Sequence, residues 1–244
     1  MYSELPEDEA HVWYLDPDRI APAQVEGCIA TQLSPEEQTR RRRLRFEADR
    51  HLYLVSHLLV RQTLSRYADA APGEWQFLHG EHGRPEIAGP GTAELRFNLT
   101  HTRGLAACIV TRRAACGIDA EYLEARSHSE AVADRMFSAA EAETLRRLGE
   151  PERLRHFYTC WTLREAYVKA RGIGMGFATR ALAFAVRDGE TIALSAAAAI
   201  EPRASDWQFR VLQPGENHLL AIAIDTAGGR PKTIVARPAT LTGS

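Results

Sequence analysis

Two serine-led helix starts, each followed by the same succession of segments, constrain this chain more than any other feature. Ser34-Pro35-Glu36-Glu37 and Ser138-Ala139-Ala140-Glu141 each place a serine at a helix cap and a glutamate three residues on. Side chain and backbone can then exchange hydrogen bonds and start a helix. Behind the first stands Arg50-His51-Leu52-Tyr53, with Leu58 five residues later. Behind the second, at the same interval to within one residue, stands Arg155-His156-Phe157-Tyr158, with Leu163. Each half thus reads as capped helix, longer helix, then strands. The repetition predicts a duplicated α+β unit joined near Arg112 to Ala115, and so halves at 1–113 and 114–244, with a ligand expected in the cleft between them. In this register Glu165 falls opposite Val60, an acid where the first copy has packing.

The segments follow from local pattern. His11 to Leu15 reads as a strand ended by Asp16-Pro17, and Glu47 to Arg66 as a helix with apolar residues at helical spacing. Trp75 to Leu78 is a short strand, and Gly80 to Pro85 a loop presenting Arg84. Leu95 to Thr100 and Leu105 to Thr111 are strands joined across His101-Thr102-Arg103-Gly104, and Cys116 to Glu121 is a third. Phe157 to Gly172 is a helix with a glycine where a C-terminal cap belongs. Ala181 to Arg187 with Thr191 to Ser195, and Trp207 to Leu212 with His218 to Asp225, read as hairpins. From Gly228 onward, Gly, Pro and Thr predict a loosely held tail.

Composition excludes several classes of function. A net charge of −2 with 45% apolar and 25% charged residues gives no global field that would draw the chain to nucleic acid or an acidic membrane. No apolar run is long enough to span a bilayer, and the acidic N-terminus has no signal-type apolar core. Cys28, Cys108, Cys116 and Cys160 show no metal spacing and read as reduced core thiols. Together these point to a cytosolic protein. Any anion site must be local. Arg40, Arg41, Arg42, Arg43 and Arg45 are either a solvated face or a phosphate site, and the pattern leaves both open.

Two acidic segments carry the chemistry. On a helix Trp161, Glu165 and Lys169 share a stripe, and on a strand Asp119 and Glu121 share a face. If the helix brings Glu165 to that face, three carboxylates converge. Like charges about 5 Å apart repel by roughly 3 kcal/mol per pair at an effective dielectric near 20. Either one acid is then protonated or a divalent cation sits among them, and all-oxygen ligands favour magnesium over zinc.

Three segments in this order resemble the Sfp-type 4′-phosphopantetheinyl transferases: Phe97 to Thr102 for F-N-x-S-H-S, Gly117 to Glu121 for G-I-D-x-E, and Trp161 to Lys169 for W-x-x-K-E-A-x-x-K. Phe137-Ser138 and Gly83-Arg84-Pro85 resemble two further family segments, and the likeness runs over residues 10 to 225. It implies a pseudo-dimer of two α+β halves with the active site in the cleft between them. The implied reaction moves the phosphopantetheine arm of coenzyme A to a serine of an apo acyl or peptidyl carrier protein. That carrier and coenzyme A are then the partners of a monomeric, cytoplasmic enzyme with no nucleic acid or membrane partner. Carried over residue by residue, Asp119, Glu121 and Glu165 hold Mg2+, and Glu165, Lys169 and His101 are the catalytic set. Arg84, Thr100, His101, Arg164 and Lys169 contact coenzyme A. Arg164 stands where the family usually has lysine. Glu47 stands where a lysine usually meets the 3′-phosphate, so Arg45 or Arg50 must substitute.

Overall fold

The computed structural model describes residues 4–88, 94–124, 129–174, 179–187, 191–197 and 199–243. The chain forms two compact units, Met1–Arg113 with Lys232–Ser244, and Ala114–Pro231. In chain order the first holds β1 (Glu9–Leu15), α1 (Pro22–Val25), α2 (Cys28–Gln32), α3 (Pro35–Arg43), α4 (Glu47–Leu64), β2 (Gln76–His79), β3 (Pro85–Ala88), β4 (Leu95–Thr102) and β5 (Leu105–Arg112). The second holds β6 (Cys116–Tyr122), α5 (Ser129–Met136), α6 (Ala139–Arg147), α7 (Glu152–Arg171), β7 (Leu182–Arg187), β8 (Thr191–Ala196), β9 (Trp207–Leu212) and β10 (His218–Asp225). β11 (Thr233–Pro238) then returns to the first unit.

In the first unit the sheet order is β11-β1-β5-β4, beside the hairpin β2-β3. β5 lies between two partners, and its near-continuous apolar run is buried from Leu105 to Thr111, as a central strand requires. Leu54, Leu58 and Leu59 of α4 pack against Phe97, Cys108 and Val110 to close the core. The second unit has β6-β10-β9 with the hairpin β7-β8. Here β10 is central, buried from Leu219 to Ile224, and α7 lies across β6 and β10. Leu163, Ala166 and Tyr167 meet Phe209, Ala221 and Ala223. All four cysteines are buried, and none forms a disulfide.

Both expected capping boxes form. Ser34 accepts from the Glu37 amide (3.2 Å) while Glu37 accepts from the Ser34 amide (2.8 Å). Ser138 and Glu141 do the same at 3.4 and 2.9 Å. In each unit the capping glutamate has a second task. Arg61 of α4, 1% exposed, reaches back to Glu37 at 2.7 Å, and its other amino group donates to the carbonyls of Pro72 (2.8 Å) and Trp75 (3.0 Å). Arg164 of α7, equally buried, pairs with Glu141. By this criterion Arg61 answers to Arg164, so Glu165 corresponds to Gln62 rather than to Val60. The echo of Arg50-His51 in Arg155-His156 sets the register expected from sequence, and the buried pair shifts it by two residues.

Four expectations change with tertiary context. The tail is not loose between Thr233 and Pro238, where β11 pairs in parallel with β1, Thr233 against Glu9. Gly80 to Arg84 is the turn of the β2-β3 hairpin, closed by the Gly80 amide on the Arg84 carbonyl at 3.0 Å, with Gly83 at φ 77°. β4 runs on through Thr102, leaving Arg103-Gly104 as a two-residue turn with Gly104 at φ 68°. α7 begins at Glu152, a turn earlier than its sequence pattern, and α5 precedes the second capping box. The bend expected at Asp188-Gly189 lies outside the described residues.

The buried pairs yield two tests. Burial alone would raise the Glu37 carboxyl, but the hydrogen bond from His57, the charge of Arg61 and the Ser34 amide hold it down to about 2, from 4.5. A depressed carboxyl favours the folded chain above its unfolded value, so this contribution, about 3 kcal/mol, is complete above pH 4.5 and lost on descent to pH 2. Urea unfolding measured between pH 5 and pH 2 should show that loss, and Glu37→Gln should lack it. Replacing Arg164 by alanine strands a buried carboxylate and should cost about 3–5 kcal/mol in the same measurement.

Candidate active site

In the second unit one glycine fixes how α7 crosses β6. A Cβ on Gly117 would fall 2.0 Å from the Ala166 carbonyl oxygen and 2.5 Å from the Ala170 amide. Only a residue without a side chain lets the helix lie on the strand this closely. The turn of α7 that bears Glu165 and Lys169 is thereby laid beside Asp119, two residues along β6. Between Cys160 and Ala170 every residue is buried except Trp161, Glu165 and Lys169, the stripe expected from helical spacing.

The Lys169 ammonium donates to Asp119 Oδ1 at 2.6 Å; Asp119 is buried and Lys169 is partly exposed. The Glu165 carboxyl is pushed above its ordinary value, chiefly by burial, then by the neighbouring charge of Asp119, with Lys169 opposing and Glu121 adding to the rise. Asp119, Glu121, Glu165 and Lys169 thus form one electrostatic cluster. Among the described residues, no three acidic, histidine or cysteine side chains stand close enough to enclose a metal ion as they are. The donor set still suits a hard dication, being all oxygen and carrying more negative charge than one ammonium offsets.

Arg164 does not belong to this cluster. Its Nε donates to the Met136 carbonyl (3.0 Å), Nη1 to Glu141 (3.2 Å) and the Cys160 carbonyl (2.9 Å), and Nη2 to Glu141 and the Leu182 carbonyl (2.7 Å). All five donors are used inside the core, and none remains for a phosphate. Its role as a coenzyme A contact is withdrawn. The error is one of facing: Arg164 adjoins Glu165 in sequence but points about 100° away around the helix.

The remaining site candidates lie in the first unit. His101 is exposed near the end of β4, opposite Ala106, and Thr100 beside it is buried, as alternation requires. Arg84 follows the hairpin turn, 3.1 Å from Glu86. Arg50 is held by Glu47 and donates to the carbonyls of Leu44 (3.0 Å) and Arg45 (3.3 Å), which fastens the link between α3 and α4. Arg45 is exposed and stacks on Phe46. The arginine run is the last turn of α3, where the helix dipole favours cations.

Sequence reasoning did not foresee a cavity of about 550 Å³ in this unit, walled by Arg40, Tyr53, His57, Trp75, Phe77 and Phe97 and reaching Gly83 and Pro85 of the β2-β3 turn. Tyr53 stacks on His57 at 3.9 Å, and burial with the nearby Glu37 charge raises its hydroxyl to about 12. On the sequence Tyr53 and His57 are an ordinary i, i+4 pair. Only the hairpin folding over α4 makes them a wall.

Comparison with known proteins identifies the family. Residues 21–112 match the model "4′-phosphopantetheinyl transferase, N-terminal", and residues 115–223 match "4′-phosphopantetheinyl transferase superfamily". The chain is 34% identical to 4′-phosphopantetheinyl transferase HetI of Nostoc sp. over 92% of this chain and 91% of that one. It is 29% identical to a phosphopantetheinyl transferase of Thraustochytrium sp. over 79% of this chain and 70% of that one. Among solved structures it is similar to holo-[acyl-carrier-protein] synthase from Neisseria meningitidis (17% identity, 45% of this chain, 95% of that one, TM-score 0.38), a likeness that carries no argument. With a relative of this identity matched almost end to end, the chain belongs to the 4′-phosphopantetheinyl transferases, a family of transferase enzymes.

Proposed function

We propose that the protein moves the 4′-phosphopantetheine arm of coenzyme A to a serine hydroxyl of an apo acyl or peptidyl carrier protein, in a reaction dependent on Mg2+. The observation that carries this reading is the hydrogen bond of the Lys169 ammonium to Asp119, which joins the helix motif bearing Glu165 to the strand motif bearing Asp119 and Glu121. In the transfer, the serine oxygen forms a bond to the β-phosphorus of coenzyme A and the bond from that phosphorus to the bridging oxygen breaks. Adenosine 3′,5′-bisphosphate leaves, and the serine proton goes to a carboxylate.

Asp119, Glu121 and Glu165 would hold the dication, which supplies positive charge to the pyrophosphate oxygens when bound. Lys169 lends its ammonium to the same oxygens, where charge builds as the bond breaks. Glu165 is the acceptor of the serine proton. Asp119 holds Lys169 in place through their hydrogen bond. Arg84, His101 and Arg45 are the further phosphate contacts. Arg50 is the weaker candidate of the pair Arg45 and Arg50, because its guanidinium already fastens the link before α4.

Mixed with coenzyme A, Mg2+ and an apo carrier protein, the enzyme should add one phosphopantetheine arm to the carrier, read by intact-protein mass spectrometry. Asp119→Asn and Glu165→Gln should each lower kcat by roughly a hundredfold or more with folding retained. A chelator should stop the reaction and added Mg2+ restore it. Full activity in both variants, or indifference to chelator, would refute the assignment.

A further inference from the structure

We infer that Glu201 is a positioning residue, gripping from behind the turn of α7 that presents Glu165 and Lys169 and so setting the rate of transfer. This rests on the proposed roles of those two residues. Glu201 lies between β8 and β9, 5% exposed. Its Oε2 accepts from the Tyr167 hydroxyl at 2.5 Å, from Arg171 Nη1 at 2.6 Å and from Trp207 Nε1 at 3.2 Å, and its Oε1 accepts from the Arg203 amide at 3.0 Å. Arg171 also donates to the Tyr167 hydroxyl at 2.6 Å, which closes a triangle. The Tyr167 ring packs edge-on against Trp207 with centroids 4.9 Å apart.

Placement gives this network its consequence. Tyr167 and Arg171 are four apart and share a face of α7; Glu165 and Lys169 share another, about 200° around the helix. The turn is the last of α7, which stops at Gly172 in the left-handed conformation at φ 64°. The final turn of a helix has carbonyls without intrahelical partners and frays unless something outside holds it. Besides the apolar packing of Val168 and Ala170 and the Lys169–Asp119 hydrogen bond, this stretch is held through β6 and through Glu201. The backbone of β6 at Gly117 meets Ala166 and Ala170, and Glu201 takes Tyr167 and Arg171. The strand contact limits how near the helix can come; the two bonds to Glu201 resist its rotation. A small turn of α7 about its axis would carry the Lys169 ammonium off Asp119, and sub-ångström errors in such groups are costly in rate.

Steady-state kinetics with coenzyme A, Mg2+ and an apo carrier protein test the inference, with each variant assayed at a temperature where circular dichroism shows it folded. Glu201→Ala should lower kcat roughly tenfold while KM for coenzyme A stays within about twofold. Glu201→Gln, with its amide oxygen in the Oε2 position, keeps three of the four acceptor contacts and should recover the larger part of the loss. Leu145→Ala, a core truncation in α6 of the same unit, serves as the control and should keep kcat. Where Glu201→Ala does not fold, Tyr167→Phe removes one arm of the triangle and should lower kcat about fivefold, one hydrogen bond being worth about 1 kcal/mol. A folded Glu201→Ala, or in its place Tyr167→Phe, with the parent kcat overturns the inference. So does an equal kcat loss in Leu145→Ala, or a rise in KM for coenzyme A with kcat unchanged. Failure of the underlying roles looks different: Glu165→Gln and Lys169→Ala would then both remain active.

Discussion

Where Gly117 meets α7, backbone touches backbone, and the placement of the acidic cluster depends on that contact. A methyl group there would overlap the Ala166 carbonyl, so the helix would have to lift off the strand or tilt. Either movement separates the Lys169 ammonium from Asp119, now 2.6 Å apart, and weakens the coupling between Glu165 and the strand acids. The glycine in G-I-D-x-E therefore belongs to the chemistry although it offers no functional group. Alanines at 166 and 170 complete the fit, since a larger side chain on that face of α7 would hold the helix away.

The same backbone plan serves different ends in the two units. Each contains a capped helix whose third-position glutamate binds a buried arginine on the longer helix that follows, Arg61 in one and Arg164 in the other. Such pairs contribute little net stability against an apolar alternative, yet each fixes one helix against another in a single geometry. Beyond the arginine the copies diverge. Gln62 binds the backbone of Thr242 on both sides at 2.9 Å and so fastens the returning C-terminal segment to α4. Glu165, its counterpart, faces the strand acids. One position thus holds a strap in the first copy and an acid in the second.

Much of the fold was legible because its causes are local. The capping boxes at Ser34 and Ser138, the glycine cap at Gly172, the existence of a hairpin turn before Leu105 and the strands β5 and β10 all follow from neighbours within a few residues. The stripe Trp161, Glu165, Lys169 was legible for the same reason, helical spacing. Arg164 was misread because its neighbours in sequence are functional while its neighbours in space are Met136, Glu141 and Leu182, brought from other elements. Tyr53 and His57 gave no signal, since a cavity wall becomes one only when a distant hairpin folds over it.

By itself the sequence determined the order of helices and strands, the duplication, the family, and which acids share a face on β6 and which groups share a face on α7, because periodicity and capping act within one element. Tertiary structure decided the rest. It paired β11 with a strand more than two hundred residues away in the chain, buried Arg164, and set the Lys169 ammonium against Asp119. Those outcomes turn on contacts between segments remote in sequence, where packing, desolvation and the search for hydrogen-bond partners are settled together.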